Sequence, residues 1–343
     1  MIGGPEIPAE RHRAMNLRIR PFDPDRDYPA LAACERAVYG DDAEPEDCLR
    51  HNDAHRDPRC RHARWVAEDD ATGQVVGYGE HDQHWGRFHP HRFLVFLGVL
   101  AAHQGRGVGR ALYERVAQAL APFSPERLSA SAREDSPRAF RFFADRGFVQ
   151  DRHIFESELD VPAFDLAPFG GLERHIQQGC QVVIRTLGEL AGDPDRDRKV
   201  FDLRGELRND MPASDPATPE DFDFWVANRL RSPYHLDDAY FVAVHEPTGA
   251  YVGLSNLGRS PNDPPHLLFT GTTGVRRAWR GKKIALALKV RGIAYARAHG
   301  HTRLRTSNDS LNAPMLAIND RLGFVRRPGQ FEMVKEMGKT ANA

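Results

Sequence analysis

A chain of 343 residues with 41% hydrophobic content holds enough apolar material for two cores of ordinary size. Its 47 basic and 48 acidic residues leave a net charge of −1, so no global field recruits nucleic acid or an anionic membrane. The longest apolar run, Phe93 to Ala102, is interrupted by Gly98 and is too short to span a bilayer.

The first 15 residues are polar, contain Pro5 and Pro8 and lack an apolar segment of the signal-peptide kind. They read as a disordered extension, and the chain as cytoplasmic. Leu17 to Pro21 alternates as a short strand, and a charged helical stretch follows over 30–57. Arg64 to Glu68 and Gln74 to Glu80 form a hairpin across Asp69-Asp70-Ala71-Thr72-Gly73. An apolar strand over Phe93 to Leu100 runs into glycine-rich text and then a helix whose Leu112, Val116 and Leu120 define one buried face. Arg127 to Ala132 is a further strand, and a short helix ends at Gly147-Phe148 before a last strand. Residues 161–180, with Pro162, Pro168 and Gly170-Gly171, read as a linker.

The same order then repeats. Val182 to Arg185 is the opening strand, and Thr218-Pro219-Glu220-Asp221 predicts a helix start with Thr218 as N-cap. Glu246-Pro247-Thr248-Gly249 repeats the hairpin turn, Leu267 to Val275 the apolar strand, and Thr302 to Ser307 the strand after the long helix. One offset of 176 carries Val99, Gln104, Gly105, Gly109, Gly147 and Phe148 onto Val275, Arg280, Gly281, Ala285, Gly323 and Phe324. A period this long means a duplicated domain, with copies over 16–160 and 181–338. Interleaved strands and helices place the class as α/β or α+β with a mixed, mostly antiparallel sheet in each copy.

Chemistry concentrates where the apolar strand meets the helix. Gln104-Gly105-Arg106-Gly107-Val108-Gly109 would bring unpaired backbone N–H groups and the positive end of a helix to a bound phosphate. The spacing is neither that of a P-loop nor that of the dinucleotide fingerprint. It resembles the Gln/Arg-x-x-Gly-x-Gly/Ala loop of the GCN5-related N-acetyltransferases, and Gly147-Phe148 and Gly323-Phe324 resemble that family's Leu-Gly-Phe signature. The layout of two such domains in one chain is similar to that of mycothiol synthase.

The resemblance implies acetyl-CoA as cofactor. In copy one its pantetheine arm and pyrophosphate would lie against Leu97, Gly98, Val99, Gln104, Gly105, Arg106, Gly107, Val108, Gly109 and Arg110. In copy two they would lie against Thr273, Gly274, Val275, Arg280, Gly281, Lys282, Lys283, Ile284, Ala285 and Asn312. Lys283 stands where the family has its central glycine. It either faces a phosphate as a point charge or is a solvated helix-start lysine. The backbone N–H of Val99 or Val275 would meet the thioester carbonyl. The family's tyrosine acid is replaced by Phe143 and Asn319, and Ser136 occupies the position of Asn312.

Glu80 is a candidate base weighed against an exposed hairpin carboxylate, and Asn256 takes its place in copy two. Copy two keeps Thr306, Asn308, Asn312 and Asn319, which favours it as the catalytic copy. The histidines 51, 55, 81, 84, 89 and 91 form no convincing ligand set, so no metal is expected. The four cysteines lack CxxC spacing and read as thiols. The implied activity is acetyl transfer to the primary amine of a small molecule by a monomer, itself a pseudo-dimer of domains, or by a homodimer. Alternatives are a protein or peptide N-acetyltransferase and a non-catalytic acyl-CoA-binding or sensing protein. A pocket lined by Asp210 and Asp223 would suit a cationic amine.

Overall fold

The computed structural model describes residues 16–40, 43–232, 235–259 and 264–338. The proposed extension over 1–15 lies outside the described residues. The described residues fall into two compact units, the first reaching from 16 to 83 with 90–128 and 337–338, the second taking 84–89 and 129–336.

In the first unit, β1 (Leu17–Pro21), β2 (Ala63–Asp69), β3 (Val75–Asp82) and β4 (Arg92–Val99) follow one another as antiparallel neighbours. Helices α1 (Tyr28–Tyr39) and α2 (Glu46–Ala54) cover one face. There Tyr28, Leu31 and Cys34 pack with Val66 and Tyr78. Helix α3 (Val108–Leu120) covers the other, setting Val108 and Leu112 against Ala67 and Val76. Alternation along β2 sends Val66 to one layer and Ala67 to the other, and the register shift opposite Ala67 and Glu68 lets β3 send Val76 and Tyr78 to opposite sides.

The second unit takes up β5 (Arg127–Arg133) from Ser129, then α4 (Pro137–Ala144), β6 (Val149–Asp160) and α5 (Leu172–Cys180). Next come β7 (Val182–Thr186), α6 (Arg196–Asn209), α7 (Phe222–Trp225) with a π-helical turn over Val226–Leu230, β8 (Tyr240–His245) and β9 (Ala250–Gly258). The unit closes with β10 (Leu267–Val275), α8 (Ile284–Ala298), β11 (Arg303–Asp309), α9 (Ala313–Arg321) and β12 (Val325–Glu336). Its strand order is β5-β12-β6-β11-β10-β9-β8-β7.

That order exchanges the last strands of the two copies. β6, which ends copy one, pairs antiparallel with β11 of copy two, while β12, which ends copy two, lies beside β5. The compact units therefore follow packing and not the repeat. Within residues 161–180, α5 seats Ile176 in the same core as Val182, Ile184 and Ile293. The helix expected to start at Thr218 starts later: Asp221 is the N-cap and accepts from Phe224 N at 2.8 Å. Thr218 is engaged elsewhere, its Oγ1 accepting from Phe88 N at 2.6 Å and its N–H donating to Gly86 O.

Candidate active site

Both copies build the same loop from the same bonds. In copy one, Leu100 N–H donates to Val76 O at 3.0 Å in the register that places Val99 opposite Gly77. Antiparallel pairs alternate between bonded and non-bonded, so Val99 turns its N–H and C=O away from β3. Gln104 Nε2 then donates to Val99 O at 3.1 Å, and Gly105 and Gly107 take φ of +77° and +89° to begin α3. In copy two, Arg276 N–H donates to Val252 O at 2.9 Å, Val275 likewise faces away from β9, and Arg280 Nε donates to Val275 O at 3.1 Å. The Gln/Arg of the motif is thus a brace between loop and strand end. Neither α3 nor α8 has a side-chain N-cap bond, so the first-turn N–H groups are available to an anion.

Lys283 occupies the left-handed region at φ +63°, matching Gly107 despite its side chain. This conformation costs a non-glycine residue about 1–2 kcal/mol, offset in part by the lower unfolded-state entropy of lysine relative to glycine. Lys283 is exposed, so truncating it removes no packing. Lys283→Gly is expected to raise stability by up to about 1 kcal/mol in denaturant titration. A clear loss would show that the side chain holds the loop.

Copy two has two further features beside this loop. β10 pairs with β11 only from Leu267–Arg303 to Thr270–Thr306; beyond that β10 keeps β9 and β11 keeps β6, which opens a wedge between them. A bulge between Thr270 and Thr273 interrupts the β10–β9 register, whereas β3–β4 runs unbroken from Gly77–Val99 to Asp82–Leu94. The Asn256 amide lies against Gly271 in the bulge, where a Cβ would come within 2.6 Å of it. Thr273, also at the bulge, shares a buried hydrogen bond of 2.8 Å with Ser255.

Asn319 is 1% exposed; its Nδ2 donates to Asn308 Oδ1 at 2.6 Å, and its Oδ1 is buried without a hydrogen-bond partner. An acceptor orphaned in this way is satisfied by an incoming N–H or O–H donor. Together with the open first turn of α8 and the wedge, it is what an acyl-CoA arm requires, so the residues present fit that group. Asn312 begins α9 without a side-chain cap bond, while Met315 and Leu316 N–H donate to its carbonyl. Lys289, which the sequence did not single out, is buried in α8 with the Phe324 ring 5.1 Å away, and burial pushes its ammonium down to about 8.

Glu80 is not an exposed hairpin carboxylate. It is 8% exposed, bound by Arg64 and 3.5 Å from His62; burial alone would raise its pKa, but the His62 imidazole and the Arg64 guanidinium hold it below the usual value. A carboxylate so engaged is a poor base. Glu35 has the opposite character: burial pushes it up to about 7, while its carboxylate accepts from Tyr78 Oη. The folded state therefore favours neutral Glu35, and stability falls as pH rises from the unfolded value near 4.5 through about 7. Glu35→Gln is expected to stabilise the first unit by about 2–3 kcal/mol at pH 8 and to change nothing at pH 4. Equal effects at both pH values, read from denaturant midpoints, would refute the charged carboxylate as the cause.

Asp210 and Asp223 do not make an acidic pocket. Asp210 accepts from Arg277 and Arg280, which hold its pKa below the usual value, and Asp223 is exposed on α7. The cavity near the bulge, about 290 Å³, is lined instead by Arg204, Trp225, Arg229, Tyr240, Asn256 and Gly271, among others. Among the described residues no group of three or more His, Cys, Asp or Glu side chains is arranged to hold a metal ion. Likewise no described helix is long and apolar enough to cross a membrane.

No curated protein matches the chain. Residues 27–148 match the acetyltransferase (GNAT) family model. Among solved structures the chain is similar to a GCN5-related N-acetyltransferase from Sphaerobacter thermophilus, with TM-score 0.66 and 22% identity over 93% of this chain and 95% of that one. It is also similar to a tandem GNAT protein from the clavulanic acid biosynthesis pathway, with TM-score 0.70 and 18% identity over 95% and 100%. A GCN5-related glucosamine N-acetyltransferase region of a fungal multi-domain GH3 beta-N-acetylglucosaminidase gives TM-score 0.68 and 13% identity over 94% of this chain and 38% of that one. At these identities the likenesses speak to the fold. The family match is confined to residues 27–148, so it speaks for copy one, while the likenesses over the whole chain show that its fold is that of tandem GNAT structures.

Proposed function

We propose that the chain transfers acetyl from acetyl-CoA to the primary amine of a small molecule, and that copy two performs the transfer. The observation that carries this reading is the wedge between β10 and β11, with the open first turn of α8 at the end of β10 and the cavity floored by the β10 bulge. Bound acetyl-CoA would supply an activated thioester. Ile284, Ala285 and Leu286 N–H would hold its pyrophosphate, and Val275 N–H, turned into the wedge, would donate to the thioester carbonyl.

The Asn319 amide is far too weak an acid to protonate a thiolate, so it hydrogen-bonds and orients instead. A thiol of pKa near ~8.5 takes its proton from the product ammonium or water near neutral pH. A cavity of about 290 Å³ with walls from α6, α7 and the π-helical turn has room for a small acceptor. Copy one has the same braced loop, but an unbroken β3–β4 register and Phe143 in place of an acid, which favours cofactor binding without turnover.

The test is thiol release from acetyl-CoA across a panel of primary amines, beside calorimetric titration of CoA. Two CoA sites with turnover are expected. CoA binding without thiol release for any amine would favour an acyl-CoA-binding protein.

A further inference from the structure

The cavity beside the bulge has an uneven charge. Three guanidiniums, Arg204 and Arg208 of α6 and Arg229 of the π-helical turn, gather about one carboxylate, Glu220. Arg204 and Arg208 both contact the same Glu220 Oε2, and Arg208 also donates to Gly86 O at 3.0 Å. Arg229 lines the cavity with the Trp85 ring 5.0 Å from its guanidinium and has no carboxylate within ion-pair distance among the described residues. Desolvation and then the Arg204 charge lower the Arg229 pKa, opposed in part by the Glu220 charge.

A second observation is independent of charge. Trp225 is 1% exposed, lines the same cavity, and its Nε1–H is buried without an acceptor. Indole N–H is a donor only, and an unmet buried donor is costly, so the position calls for a ligand oxygen.

We propose that the acceptor of copy two is an amino acid-like molecule whose carboxylate is held by Arg229 and the Trp225 Nε1–H while its amine reaches the bulge at Gly271–Thr272. This rests on the acetyl-transfer reading of the same site. A guanidinium fork matches a carboxylate in two parallel bonds, and the uncompensated positive charge disfavours a purely cationic amine. Asn256 and Gly271 line the same cavity as these donors, so one small zwitterion can address both.

Matched pairs test this: L-valine with isobutylamine, L-tyrosine with tyramine, L-lysine with cadaverine, plus phosphoethanolamine. Each is titrated calorimetrically into the full chain with CoA present and assayed for thiol release. The acid of at least one pair is expected to bind about 10- to 100-fold more tightly than its amine. Arg229→Gln and Trp225→Phe should each erase most of that preference, chiefly through KM, and Arg229→Lys should restore part of it.

Amines binding as well as their acids, or an unchanged preference in Arg229→Gln with CoA affinity intact, would overturn the proposal. Phosphoethanolamine surpassing every amino acid would overturn the carboxylate in favour of a phosphate. Arg229-dependent carboxylate binding without thiol release would instead uphold the pocket and defeat acetyl transfer.

Discussion

Ala285→Asp is expected to abolish thiol release from acetyl-CoA, while Gly107→Asp keeps most of it. Ala285 is the second residue of α8, where the first-turn N–H groups have no side-chain cap. A carboxylate there would stand beside a bound pyrophosphate, and two unit charges about 4 Å apart near a protein surface repel by about 4 kcal/mol, or roughly 10³-fold in affinity. Ala285 is half-buried against the core of its unit, although an acidic residue in the first turn favours a helix, so circular dichroism must show an intact fold before turnover is compared. Gly107→Asp places the same charge at the start of α3, where a Cβ meets nothing within 4 Å and aspartate tolerates the left-handed conformation. Calorimetry should show each variant losing one CoA site. Turnover that survives in Ala285→Asp and dies in Gly107→Asp would move the chemistry to copy one.

The features that place the loops were legible because they are local. Glycine before a helix, the bracing Gln104 or Arg280 and the strand ending in Val99 or Val275 each lie within ten residues, and the 176-residue offset displays them twice. The left-handed turn at Lys283 could be anticipated from Gly107 but not from lysine itself. The bulge in β10 left no mark: the offset is the same on both sides, and only the pairing slips.

The exchange of β6 and β12 is a choice among partners far apart in the chain, to which period-2 patterning is indifferent. Thr218 carried a sound capping pattern, yet a contact with Gly86 and Phe88, some 130 residues away, outweighed it. The sign of the cavity beside the bulge was hidden for the same reason. Asp210 and Asp223 looked available in sequence, but Asp210 is taken by loop arginines and the cavity receives Arg204 and Arg229 from separate elements.

Arg64→Ala is expected to be the most destabilising single change in the first unit, at about 3–5 kcal/mol. The Arg64 side chain is 5% exposed, binds Glu80 through Nε and Asp53 through Nη1 at 2.7 Å, and lies over the Phe22 ring at 4.9 Å. Removing it leaves the buried Glu80 with only Arg56 at 3.6 Å and His62 at 3.5 Å, while the half-buried Asp53 keeps Arg56 at 2.7 Å. Burial alone would raise Asp53, but Arg64 holds it at about 2, a stabilisation complete above its unfolded value near 3.8 and lost as pH falls toward 2. Hydrogen exchange reads the effect locally. Protection over β2 and β3 should fall by at least about 10²-fold, while β8 and β9 keep theirs. Glu80→Gln added to Arg64→Ala should recover part of the loss, because the neutral amide no longer strands a charge. No recovery would assign the stability of this cluster to Arg64 packing against Phe22 instead of to its ion pairs.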